Sequence, residues 1–245
     1  MSHTRTRRAS RHIPDAIKRQ LRQEAGFGCL FCGAIICTYE HILDFAQSRA
    51  HDPDKMGYIC HQCHGKVTRK YWSKAAVEAA KEDPYCKRLG FAHEFVFSPD
   101  TGKTVKMGSV TMDGVQNQLV IFDEPVISIA CQPEDGLILL NVRLHDEKGQ
   151  LFLEIVDNEW RIRPSSWDVE CVGGRVALQR KSGDKPLIIS SRDDGVLEFQ
   201  NMDFKHRGVR ITADRAGMQA HFPNRPPITI HGAHLADAIS GIVIG

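Results

Sequence analysis

At 245 residues and 42% hydrophobic content, with no apolar run near the ~18 residues that cross a bilayer, the chain reads as one large or two small globular domains and not as a helical membrane protein. Its net charge of +2 hides a division, because residues 1–90 carry 16 Lys and Arg against 9 Asp and Glu while residues 91–245 carry 16 against 21. A basic front suits a polyanionic partner, and an N-terminal stretch without an apolar core lacks the pattern of a secretory signal, so the expected location is cytoplasmic.

The first predicted element is the helix in IPDAIKRQLRQEAG. Ile13, Ile17, Leu21 and Ala25 recur every four residues, Pro14 suits a first turn and Gly26 a stop. Lys18, Arg19 and Arg22 fall on the opposite face. GFGCLFCGAIICTYEHI then has the glycine-punctuated look of a metal knuckle leading into short strands. Residues 44–57 read as a polar loop with a turn at Asp52-Pro53-Asp54. After GYICHQCHGKVTRKYW, Ser73 is placed to cap a short helix, KAAVEAAKE, which Asp83-Pro84 ends. Tyr71 and Trp72 are expected to close the small core of this half.

From Phe91 the helical period gives way to short β-prone runs: HEFVFS, QLVIF, VISIAC, LILLNVRL, LFLEIV, VALQR, PLIIS, LEFQNM, GVRITA and ITIHG. Turn signals such as DEKG, VGG and KSGDKP separate them. Even spacing of short strands predicts an all-β domain over 91–245, a sandwich or a solenoid-like sheet, after a separate front domain over 1–90, which makes the chain α+β overall. DNEWR at 157–161 reads as a turn followed by an anchor. The terminal ISGIVIG suits an edge strand or buried tail that could support self-association.

Chemistry concentrates in the front half. Of eight cysteines, four form two C-x-x-C pairs, Cys29 with Cys32 and Cys60 with Cys63, separated by 27 residues. In a chain without an export signal such pairs point to metal before disulfides, and four thiolates suit a tetrahedral structural Zn²⁺. The scattered Cys37, Cys86, Cys131 and Cys171 read as buried small hydrophobes. The gap between the knuckles holds Glu40-His41, and His64 follows Cys63. A zinc with four thiolate ligands has no open position, so these three side chains are spare. A carboxylate and an imidazole can share one hard divalent cation while a second imidazole takes a proton from water, which is equipment for phosphodiester hydrolysis.

With these motifs in order (the entry helix, CLFCG, EHI and CHQCHGKVTRK) residues 12–70 resemble an HNH endonuclease domain of the ββα-metal class, in its subtype with two zinc knuckles. The resemblance implies His41 as general base, Glu40 and His64 as ligands of a catalytic Mg²⁺ or Mn²⁺, and DNA, double-stranded, as substrate. It does not reach residues 91–245, whose expected task is to recognise a target, a partner protein or a regulatory ligand. One departure stands out: the Asn that the family carries about five positions before the third cysteine is here Lys55, with His51, Asp52 and Asp54 as candidates for its role. Arg7, Arg8, Lys18, Arg19, Arg22, Lys66, Arg69 and Lys70 are the expected phosphate contacts. Two other classes stay in view, a catalytically inactive zinc-dependent nucleic-acid-binding protein and an interaction protein braced by its knuckles. The latter has no use for Glu40, His41 and His64 together.

Overall fold

The computed structural model describes residues 11–245 except 44, 49, 99, 133–136, 186 and 192–193. It is a mixed α and β structure in which strand predominates, and the described helices all lie before residue 90. Helix α1 (Asp15–Ala25) starts behind Pro14 and ends in a Schellman-type cap. Gly26, at φ 73°, and Phe27 donate their backbone N–H groups to the Gln23 and Arg22 carbonyls. Glycine meets the left-handed demand of that cap without a Cβ clash. Strand β1 (Cys37–His41) and strand β2 (Met56–Cys60) pair antiparallel, with Cys37 opposite Cys60 and His41 opposite Met56.

The segment read as a polar loop is more ordered than that. It holds the short helix α2 (Phe45–Ser48), a 3-10 turn at Pro53–Lys55 and the start of β2. Helix α3 (His61–Thr68) follows β2 without a break. Helix α4 (Lys74–Glu82) is capped as expected, the Ser73 hydroxyl accepting from the Ala76 N–H, and α5 (Tyr85–Leu89) closes the front half. Tyr71 corrects the sequence reading. The left-handed turn at Lys70 (φ 63°) sends it outwards, 79% exposed, and Trp72 alone closes the small core, 4.6 Å from Phe31.

The strand-rich part opens with β3 (Ala92–Phe95), β4 (Thr104–Met107), β5 (Val110–Asp113) and β6 (Asn117–Ile121). β7 (Glu124–Cys131), β8 (Ile138–His145), β9 (Leu151–Val156) and β10 (Glu159–Ile162) come next. A second run holds β11 (Asp168–Val172), β12 (Arg175–Gln179), β13 (Leu187–Ser191), β14 (Val196–His206), β15 (Val209–Asp214), β16 (Gly217–Phe222) and β17 (Arg225–Ile230). β18 (His234–Ala236) and β19 (Ser240–Ile244) follow. One seven-stranded sheet runs β19-β6-β7-β8-β9-β10-β3, and the other joins the meander from β11 to β17 with β4, β5 and β18.

Residues of both sheets, Leu144 and Trp160 from one and Phe199 and Phe204 from the other, belong to one apolar core. Consecutive antiparallel meanders on a shared core make up this strand-rich part. Every β-prone run overlaps a strand, whereas β4, β5, β10, β11, β16 and β18 lie outside those runs because Lys, Arg, Asp, Glu and His interrupt their apolar pattern. The anchor reading holds at Asp157 and Asn158, whose φ values of 48° and 70° suit a type I′ hairpin turn. Trp160 beyond it is 1% exposed and meets Phe97 edge-on. The terminal ISGIVIG forms β19, an edge strand parallel to β6 with Ile242 and Ile244 buried.

The two halves are packed together. Phe27, Ile35 and Cys86 from the front join the large core, and α1 lies against β11. Of the four scattered cysteines only Cys86 is fully buried. Cys37 and Cys171 are half-buried, and Cys131, at the end of β7 beyond the inward-facing Ile129, is exposed.

Candidate metal centre and the adjoining Glu-His-Lys cluster

The two knuckles bring Cys29, Cys32, Cys60 and Cys63 together with all four Sγ atoms within 4.8 Å of one another. The first knuckle is a tight turn: a Cβ at Gly28 would stand 2.4 Å from the Gly33 carbonyl oxygen and 2.7 Å from Cys86 Sγ. The second is the β2–α3 junction, where Cys60 Sγ caps the helix by accepting the Cys63 N–H at 3.4 Å. The Cys32–Cys60 and Cys32–Cys63 sulfur separations are 3.7 and 3.9 Å. A tetrahedral zinc with Zn–S bonds of ~2.3 Å requires sulfurs ~3.8 Å apart, so the cluster has the size and donor set of a structural zinc site.

Cys32 and Cys63 hold their thiol protons tightly until a cation replaces them. Hydrogen bonding with Cys29, then burial, pushes the Cys32 thiol upwards. Burial, with Cys60 next, pushes the Cys63 thiol up to about 12. Crowded sulfurs cannot all ionise side by side without a positive charge among them. The knuckle is also tied to the β sheets, since the His93 ring meets the Cys32 carbonyl at 3.1 Å and Ala34 bridges to His93.

Beside this cluster the antiparallel β1–β2 pair and α3 bring Glu40 and His64 into contact. Glu40 is 6% exposed, and its Oε2 lies 2.8 Å from His64 Nε2. Its other oxygen takes the ammonium of Lys74, which also donates to the His41 main-chain carbonyl. Lys74 was not singled out from the sequence. Its signal was there, however: it is the first residue of a Ser-capped helix, an end where a cation opposes the helix dipole.

His41, next on β1, has its Nε2 3.2 Å from His51 Nδ1, and Phe45 stacks on His51 at 4.8 Å. Of the three candidates for the missing Asn's role, His51 is therefore the one against the His41 ring. Asp52 instead accepts the Asp54 N–H in the 3-10 turn, and the Lys55 ammonium lies 3.4 Å from Glu78 on α4.

The basic residues separate into groups. Arg7 and Arg8 lie outside the described residues. Lys66, Arg69 and Lys70 are exposed at the end of α3, with Lys66 over the Trp72 ring at 4.5 Å. Lys18 pairs with Asp15 at 3.1 Å.

Arg22 corrects the sequence reading outright. At 4% exposed it has no surface to offer a phosphate, and its Nε and Nη2 each donate to Asp168 of β11 at 2.8 Å. Its Nη1 donates to the Tyr39 hydroxyl at 2.5 Å. Asp168, with burial resisting, holds the Arg22 guanidinium charged. Arg19 is also committed, half-buried, to Asp168 at 3.2 Å and to the Trp167 ring at 4.1 Å. On the face of α1 read as a phosphate contact, Arg19 and Arg22 form a seam with the β sheets, whereas Lys18 does not.

Compared with protein-family models, with curated proteins and with solved structures, the chain finds no match. Among the described residues no helix is long and apolar enough to cross a membrane.

Proposed function

We propose that the protein is a metal-dependent DNA endonuclease of the HNH type, hydrolysing phosphodiester bonds. The observation that carries this reading is the buried Glu40 carboxylate, 2.8 Å from His64. Glu40 lies next to His41 on one strand, and His64 lies next to the knuckle residue Cys63. Cys29, Cys32, Cys60 and Cys63 hold the structural Zn²⁺, which braces this geometry and takes no part in the chemistry.

Glu40 and His64 fit a shared Mg²⁺ or Mn²⁺. Neighbouring ligands of an octahedral ion with bonds of ~2.1 Å stand ~3.0 Å apart, close to the observed separation. That cation, when bound, supplies charge stabilisation at the phosphate and the leaving oxygen. His41 accepts the proton of the attacking water, and His51 steadies its ring in the role the family gives to an Asn. Lys66, Arg69 and Lys70, with Arg7, Arg8 and Lys18, supply phosphate contacts on duplex DNA. The β sheets, a sandwich in this reading, offer surface for a target, a partner protein or a second copy of the chain.

A second reading, a zinc-dependent nucleic-acid-binding protein without catalysis, is favoured by one observation: Lys55 stands in the Asn position with its ammonium turned to Glu78. Nicking of supercoiled plasmid in Mn²⁺ or Mg²⁺ decides between them. Cleavage that disappears in His41→Ala supports the endonuclease, and binding without cleavage across metals selects the second reading.

A further inference from the structure

Both oxygens of Glu40 are engaged: Oε2 with His64 at 2.8 Å, Oε1 with the Lys74 ammonium. A carboxylate buried this far needs compensation, and Lys74 supplies a full positive charge where His64 does so only when protonated. Position 74 is a poor place for a cation, since it opens α4 directly behind the Ser73 cap, where the helix dipole is positive. The contact with Glu40 offsets that cost. The Lys74 side chain is 40% exposed, so its flexible stem runs along the edge of the site and can carry the ammonium to another anion.

We propose that Lys74 is a tethered counter-cation that competes with divalent metal for Glu40 and yields when phosphate arrives, so that metal loading depends on substrate. Placing a divalent ion on Glu40 puts three positive charges against one carboxylate. Like-charge repulsion at that range outweighs the orienting value of one hydrogen bond to a ligand, which is worth about 10- to 100-fold in metal affinity. A nucleic-acid phosphate changes the balance, drawing the ammonium to itself and adding negative charge beside the ion, as Mg²⁺ sites completed by substrate do. The substrate half of this inference rests on the endonuclease reading; the competition for Glu40 does not.

The test is Mn²⁺ binding to the full-length zinc-loaded protein without nucleic acid, followed by electron paramagnetic resonance and calorimetry. Zinc content and circular dichroism confirm folding of each variant. Lys74→Met and Lys74→Gln should each bind Mn²⁺ at least about tenfold more tightly than wild type, because both remove the charge and Gln keeps a donor. Adding Glu40→Gln should abolish that gain. A short DNA duplex should tighten Mn²⁺ binding in wild type and do so less in the variants, as linkage requires. Tightening in both variants is the expected result whether or not DNA is cut. Unchanged or weaker binding in either variant overturns the inference, and DNA cleavage by wild type would then leave the endonuclease reading standing alone. A duplex that tightens wild type and variants equally overturns the substrate half.

Discussion

The small core of the front half and the large core of the β sheets are built differently. Three of the ten buried residues in the small core are knuckle cysteines, Cys29, Cys60 and Cys63, and the rest are Tyr58 and six aliphatic residues. The large core is continuous aliphatic and aromatic packing drawn from both sheets. One region therefore gathers four sulfurs in a geometry that suits an ion and relies on polar links, the other relies on removal of apolar surface from water. The difference shows how a unit too small to bury much can still hold a buried Glu-His-Lys cluster in place.

The comparison is broken most directly by taking the metal away. Metal analysis should find about one zinc per chain, and Cys60→Ser or chelation should unfold the front half while the sheets keep their β signal in circular dichroism. Structural zinc contributes on the order of 10–16 kcal/mol to such small units, more than this core can replace. The thiol protons give the sign of the pH dependence. With Cys32 raised and Cys63 at about 12 in the metal-free form, zinc must displace protons at every pH below that range. Competition with a chelator should therefore show affinity falling steeply as pH drops.

Next in size, Asp168→Ala leaves the buried Arg22 with only the Tyr39 hydroxyl and the more exposed Glu170 at 3.9 Å, and should destabilise the protein by about 3 kcal/mol in denaturant unfolding. His41→Ala should cost roughly 10²–10⁴ in cleavage rate with zinc content unchanged. The smallest effect belongs to the exposed end of α3. Replacing Arg69 and Lys70 by Gln should weaken duplex binding similarly for all sequences and flatten the salt dependence by about one unit of log–log slope per lost contact.

What the sequence disclosed follows the reach of its signals. Cysteine spacing, the Ser73 cap, the Asn158 turn and the β-prone runs are local patterns, and each corresponds to what formed. The meeting of Arg22 with Asp168 spans 146 positions, and a basic residue on a helix looks the same whether it faces water or a buried carboxylate. Lys74 was hidden for a related reason: Glu40 lies 34 positions away, and only the folded β1–β2 pair brings it within reach. Tyr71 and Trp72 are neighbours in sequence, yet one backbone turn at Lys70 sends them opposite ways.

The Arg22–Asp168–Tyr39 link has a consequence for anyone treating the four-cysteine half as a portable cassette. Tyr39 precedes Glu40 on β1, and its hydroxyl is held by a guanidinium whose counter-charge belongs to the sheets. A chimera that grafts the front half onto a foreign scaffold inherits a stranded cation bonded to the residue beside the buried Glu40 carboxylate. A working graft has to bring a short β11-like strand with Asp168, and Trp167 for Arg19 to rest on, or else replace Arg22 with an apolar residue of similar length.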